Sequence, residues 1–193
     1  MRAFIAVELP PSMCRRLGAE ITRLQDQLGG RAIRWVDSAA VHLTLRFLGE
    51  IDDRTAGLIA AHLDEVCSGF AATSVEVGGL GGFPSLSRPR VIWVGIQQAD
   101  RELERLQAEI EARVIKLGIE GENRSYHPHL TLGRLRREAT PSELKLLADR
   151  LQGIQVADLG TVGVEGVSLM RSELTGAGSV YSRLHYARLG ASK

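Results

Sequence analysis

The sequence predicts an α+β fold made by duplication: two similar lobes related by an approximate two-fold axis, each an antiparallel sheet flanked by helices, with a cleft between them. Three observations predict it. The tetrapeptide His42-Leu-Thr-Leu45 returns as His129-Leu-Thr-Leu132, displaced by 87 residues (129 − 42). The apolar positions ahead of it return as well, since Leu17, Ile21 and Leu28 recur as Leu106, Ile110 and Leu117, displaced by 89 (106 − 17). Around both copies the elements follow one order of strand, helix, strand, helix, strand, the mark of an internal repeat. Residues 1–193 therefore read as a single bilobal domain with a repeat offset of about 87 to 89 residues.

The first strand is the short apolar run Ala3 to Val7. From Pro10 to Leu28, Met13, Leu17, Ile21, Leu24 and Leu28 fall at steps of four and three, the stripe of an amphipathic helix. Pro10 and Pro11 suit its first turn and Gly29-Gly30 its stop. The motif strand beginning at His42 comes next, followed by a helix over residues 53–67. The second copy opens on the run Val91 to Ile96, and Asp100 is placed to cap a helix with Leu103, Leu106, Ile110, Val114 and Leu117 as its stripe and Gly118 as its stop. After the motif strand at His129, Thr140-Pro-Ser-Glu143 spells a capping box for a helix over residues 141–151. Strand-rich stretches also fall at Ser74 to Val77, at Arg90 to Gly95, which overlaps the run opening the second copy, at Val162 to Met170 and at Val180 to Leu189, with the run Gly78 to Pro84 between the first two read as a loop.

With 44% apolar and 24% charged residues the chain can build its own core. Its 24 Lys and Arg against 23 Asp and Glu leave a net charge of +1, and no long basic run is present. That excludes a protein that coats nucleic acid by bulk charge, so any nucleic-acid ligand would be gripped locally, at an end. Cys14 and Cys67 lack the paired spacing of zinc sites or disulfide frameworks and read as small buried thiols. The opening Met1 to Glu8 is too short an apolar stretch for a secretory signal, and no run reaches membrane-span length, so a cytoplasmic monomer is expected.

The repeated motif carries the chemistry. Strand side chains alternate faces, so His42 and Thr44 project together while Leu43 and Leu45 enter a core, and His129 and Thr131 do the same over Leu130 and Leu132. Two lobes would then present two imidazoles and two hydroxyls to one cleft. A phosphodiester can be opened by such a set without metal: one neutral imidazole takes a proton from the nucleophile, the other as imidazolium protonates the leaving oxygen, and hydroxyls or cations hold the nonbridging oxygens. An ordinary pKa of about 6.5 suits histidine to both roles. Alternation also sets Arg46 beside His42 and Thr44, although a solvated arginine is an equal reading there. His127 shares a face with His129 but has no threonine two residues on, and is read as a neighbour. His62 and His185 belong to no spaced cluster. Phe47, Phe83, Trp93 and Tyr126 are each candidates either for stacking on a base or for the core.

At these residues the chain resembles the two-histidine phosphoesterases, and among them the RNA 2',3'-cyclic phosphodiesterases, also called 2'-5' RNA ligase-like proteins. His42-Leu-Thr-Leu-Arg-Phe-Leu-Gly49 is similar to the first motif of that family and Tyr126-His-Pro-His-Leu-Thr-Leu-Gly-Arg134 to the second. The opening Arg2 to Leu9 and the stretch with Ser172 and Tyr181 are similar too. The resemblance implies a bilobal fold, hydrolysis of an RNA-terminal 2',3'-cyclic phosphate to a 2'-phosphate, and no metal or nucleotide cofactor. It also implies His42 as proton donor, His129 as proton acceptor, and Thr44, Thr131 and Arg134 as phosphate-binding residues. Strict alternation puts Arg134 on the leucine face, so it reaches the site only if the strand ends or bulges near Gly133.

Rival functions use the same residues. A 5'-hydroxyl in place of water would make the reaction a 2'-5' ligation, and a noncatalytic RNA-end module could keep the lobes. A metallohydrolase ligated by His42, His127 and His129 lacks a closing carboxylate or thiolate near either motif.

Overall fold

A computed structural model describes residues 1–29, 32–97, 101–176 and 178–190. Its strands are β1 (Arg2–Glu8), β2 (Ile33–Trp35), β3 (His42–Glu50), β4 (Thr73–Phe83), β5 (Val91–Ile96), β6 (His129–Leu135), β7 (Gly160–Val164), β8 (Gly166–Thr175) and β9 (Gly178–Arg188). Its α-helices are α1 (Pro11–Leu28), α2 (Asp53–Ser68), α3 (Arg101–Lys116) and α4 (Pro141–Gln152). The helical stripes are buried as their spacing requires: Leu17 and Leu24 are 0% exposed, and burial of each such side chain contributes about 1.5–3 kcal/mol. Thr140 and Glu143 close the expected capping box on α4, and Asp52 caps α2 by accepting from the Thr55 amide. The Asp100 cap expected for α3 and the Gly30 half of the α1 stop lie outside the described residues.

The strands pair in the order β7-β4-β5-β6-β3-β1-β8-β9, with β2 on β6, all antiparallel. The sequence reading of two sheets needs one correction, because the arrays β7-β4-β5-β6 and β3-β1-β8-β9 are joined where Leu43 pairs with Leu130. That single pairing is the centre of the duplication. The repeats and the arrays do not coincide: β4 of the first repeat pairs with β5 of the second, and β8 of the second pairs with β1 of the first. Helices are shared the same way, with α1 beside α4, and α2 beside α3 and against β8 and β9. Each array thus needs strands from both repeats, and one apolar core runs beneath both.

Other differences have local causes. The glycine-rich segment read as a loop continues β4, with Gly81 paired to Trp93 and Gly82 to Ile92. A Cβ on Gly81 would sit 2.0 Å from the Trp93 ring, so glycine here serves a close approach rather than a turn. The stretch Val162 to Met170 is two strands, β7 and β8, which break at Glu165 and join opposite halves of the sheet, β7 at one edge beside β4 and β8 between β1 and β9. Strand β2, too short to be read from its sequence, covers β6 and pairs Trp35 with Gly133.

Candidate active site

Strand alternation buries Leu43, Leu45, Leu130 and Leu132 under the helices, at 3% exposure or less, and leaves His42, Thr44, His129 and Thr131 on the helix-free face. Extending the Leu43–Leu130 register by one residue each way sets His42 across from Thr131 and Thr44 across from His129. The two histidines are then diagonal neighbours about an axis through Leu43–Leu130, roughly 7–8 Å apart at the backbone. Their charges interact, each disfavouring a second proton in the pair, and this contributes to the lowered pKa of His42.

Each imidazole is held in the same way. His42 Nδ1 lies 2.9 Å from the carbonyl oxygen of Ala40, and His129 Nδ1 lies 2.7 Å from that of His127. A carbonyl only accepts, so Nδ1 carries the proton in both rings and Nε2 is the free, proton-accepting nitrogen. Ala40 ends a short 3-10 turn, Ser38–Ala40, in which the Ala39 amide donates to the Asp37 side chain. That turn lies against Gly18 of α1, where a Cβ would come within 3.0 Å of Ser38 Oγ. The hold on His42 is therefore built from the first helix.

Aromatic rings wall the pair. Phe4 stacks on His42 at 4.6 Å between centroids, and Tyr181 meets it edge-on at 5.1 Å. Across the axis Phe83 stands edge-on to His129 at 4.8 Å, and Trp93 lies 5.9 Å away. His127 packs edge-on against Trp93 and Phe83, on the far side of His129. Burial lowers the pKa of both histidines from 6.5, and Arg134 lowers both further. The remaining influences differ. The Glu8 carboxylate, cross-strand from His42, favours the imidazolium there, while a charge on His127 disfavours it at His129.

Two matching β-bulges decide which arginine joins the site. In β3 Thr44 pairs with Ala6 and Arg46 with Ile5, so Leu45 is an extra residue. In β6 Thr131 pairs with Trp93 and Gly133 with Ile92, so Leu132 is the extra residue, again 87 positions on. After each bulge the faces switch. Arg134 is thereby returned to the histidine face, where its charge reaches both imidazoles. Arg46, grouped with His42 by alternation, is turned away: it is 4% exposed, with Nε 2.5 Å from Glu111 and Nη1 3.0 Å from Glu122. At Arg134's repeat-related position stands Phe47, 51% exposed on the histidine face. His185 bonds Asp64 at 2.8 Å and His62 lies 3.6 Å from Glu65, both away from the pair.

The comparisons with known proteins concern this same duplication. A family model described as LigT like Phosphoesterase matches the chain twice, over residues 7–93 and 94–181, one match per His-Leu-Thr-Leu motif. The chain belongs to the LigT-like phosphoesterase family. It is 33% identical over 175 residues to the RNA 2',3'-cyclic phosphodiesterase of Aeropyrum pernix, covering 89% of this chain and 96% of that one. Against the enzyme of the same name from Methanothermobacter thermautotrophicus it is 31% identical, covering 98% and 99%. Its fold matches the crystal structure of a Thermus thermophilus protein over the full length of both chains, with a TM-score of 0.82 and 28% identity. It also matches E. coli LigT complexed with 3'-AMP, with a TM-score of 0.78, 23% identity and 97% of each chain covered. No described helix is long and apolar enough to cross a membrane.

In this LigT-like chain, the sequence reading missed Phe4 and Glu8 as neighbours of His42, and Arg34, which pairs across from Arg134. Only the sheet order brings these residues to the motif strands, and the sole advance signal was the likeness of the Arg2 to Leu9 segment.

Proposed function

We propose that the chain is an RNA 2',3'-cyclic phosphodiesterase that opens the terminal ring to a 2'-phosphate by paired-histidine acid and base catalysis. The observation that carries the proposal is the arrangement about Leu43–Leu130: two imidazoles, each with Nδ1 tied to a carbonyl and Nε2 free, on one face of the sheet. In-line displacement at phosphorus puts the entering and leaving oxygens on opposite sides of the atom, which a pair related by a two-fold axis can serve together.

In the reaction, His129 Nε2 takes a proton from water as the water oxygen bonds to phosphorus. The bond from phosphorus to the 3' oxygen breaks, and His42, protonated at Nε2, gives its proton to that oxygen. One water is consumed, a 3'-hydroxyl and a 2'-phosphate remain, and solvent returns the proton from His129 to His42. The Glu8 carboxylate, cross-strand from His42, is the one acidic group among the described residues acting on either ring, and it stands beside the histidine assigned as the acid. Thr44 and Thr131 donate to the nonbridging oxygens, and Arg134 offsets the charge that builds on them. Because both pKa values lie below 6.5 in the free protein, the phosphate anion itself helps to protonate the acid when it binds. Acting on RNA, the protein works as a cytoplasmic monomer in which Cys14 and Cys67 stay reduced, and both are free thiols in the structure.

The test is turnover of an oligonucleotide ending in a 2',3'-cyclic phosphate, in the presence of a chelator, by the native chain and by His42→Ala and His129→Ala. The native chain is expected to yield the 2'-phosphate, and each variant to lose about 10²–10⁴-fold in kcat. Undiminished turnover in either variant would overturn the proposal, and dependence on a metal would replace it with a metallohydrolase.

A further inference from the structure

We infer that the basic groove leading away from Arg134 holds the RNA strand on the 5' side of the reacting phosphate. The inference rests on the functional reading above and adds a second binding site to it. A nucleotide that ends in a 2',3'-cyclic phosphate has chain on one side only, so a single groove leaving the histidines suffices.

An open groove of about 1300 Å³ starts at Arg134, exceeding the ~300–1,000 Å³ of small-molecule pockets. Its walls are the connection between β4 and β5, the end of β6, and the face of α4. Six cations line it, Arg88, Arg90, Arg134, Arg136, Arg137 and Lys145, against one carboxylate, Asp149. Over the whole chain the two signs are nearly balanced, 24 against 23, so this is segregation of charge and not general basicity. All six are exposed. None of the six forms an ion pair with a described residue, whereas Arg23, Arg46, Arg105, Arg113, Arg171 and Arg183 each pair with a glutamate elsewhere. Leaving that many like charges unpaired and side by side costs folding energy through self-repulsion, and a polyanion in the groove offsets it. The strand geometry helps: Arg134 and Arg136 are two residues apart in extended chain, spacing their backbones by roughly 6.6–6.8 Å along the groove. Leu135 and Leu144 add an apolar surface between the charges.

The experiment compares a cyclic mononucleotide with a ten-nucleotide RNA of the same 3' end, using the full chain and its triple variant Arg136→Glu, Arg137→Glu, Lys145→Glu. Arg134 is left intact because it belongs to the catalytic site. The native chain is expected to favour the ten-mer by at least tenfold in kcat/KM. The variant should lose that preference through KM while keeping its turnover of the mononucleotide within twofold. The slope of log affinity against log salt should flatten by about two, since each single-strand phosphate contact contributes roughly 0.7. Equal kcat/KM for the two lengths in the native chain, or an equal loss on both in the variant, would overturn the inference. Anisotropy with a ten-mer ending in a 3'-hydroxyl reads the groove without any chemistry. If the native chain binds this RNA and the variant does not, the groove stands even where turnover of both cyclic substrates is absent and the catalytic reading has failed. Competition by polyglutamate as effective as that by RNA would assign the groove to acidic peptide and overturn it.

Discussion

Replacing Arg46 and Arg134 by methionine, one at a time, should give opposite phenotypes although both arginines follow a His-Leu-Thr-Leu motif within two residues. Arg46 is 4% exposed and joins Glu111, 19% exposed, at 2.5 Å. Removing one partner of a buried pair costs about 3–5 kcal/mol, because the other charge is left unpaired away from water. Glu122, the second partner, is 43% exposed and can be rehydrated, which favours the lower end, about 3 kcal/mol. For a protein of this length each kcal/mol moves Tm by roughly 2–4 °C, so Arg46→Met should melt about 6–12 °C early. Its kcat/KM at a temperature well below the melt should stay near native. Arg134 is exposed and unpaired among the described residues, so Arg134→Met should leave Tm within about 2 °C. Its kcat should fall about 10²–10³-fold, the usual effect of losing one donor to developing oxyanion charge. Differential scanning fluorimetry and steady-state rates on the cyclic-phosphate oligonucleotide supply both readouts. An Arg46 variant that keeps its Tm and loses turnover would refute the bulge argument outright.

Two further outcomes follow from the same geometry. Both histidines are harder to protonate when folded than at their ordinary value of 6.5, chiefly through burial, so below that pH the unfolded chain binds more protons. Their contribution to stability is complete above about pH 6.5 and is lost as pH falls through the lowered values. A plot of Tm from pH 7.5 to pH 5 should therefore decline, and less steeply in a His42→Asn, His129→Asn double variant; parallel curves would contradict the assignment. Gly81→Ala brings a Cβ to 2.0 Å from the Trp93 ring and forces it off the sheet, costing about 1–3 kcal/mol and weakening substrate binding beside His129. An unchanged Tm together with an unchanged KM would show that the ring is not seated as described.

The parts of the fold that were legible in the sequence are those set by periodicity. The stripes of α1 and α3, the capping box on α4 and the alternation through both His-Leu-Thr-Leu motifs each depend on spacing within one segment, and spacing is what a sequence displays. The histidine pair was legible for an additional reason, because a repeat with a polar face implies a two-fold meeting point. What escaped depends on partners distant in the chain. Arg46 turns away from the histidine face and Arg134 turns onto it through bulges at Leu45 and Leu132, and a bulge is defined by the strand alongside, not by the bulged residues. The glycines of β4 carry the composition of a loop, yet they are there to receive Trp93 from the neighbouring strand. The basic groove draws its charges from three separated segments, so no single run of the sequence displays it. The exchange of β4 and β8 between the arrays is topology, which local pattern does not encode.

Everything turns on whether one phosphate engages both imidazoles. Nitrogen NMR of histidine-labelled protein, titrated with a nucleoside 2'-phosphate, reads this at the atoms concerned. The Nε2 resonances of His42 and His129 should move together along one saturation curve, with one of the two gaining a proton and both Nδ1 positions staying protonated. Movement of a single ring, or of two rings with different affinities, would mean that the pair does not share a phosphate.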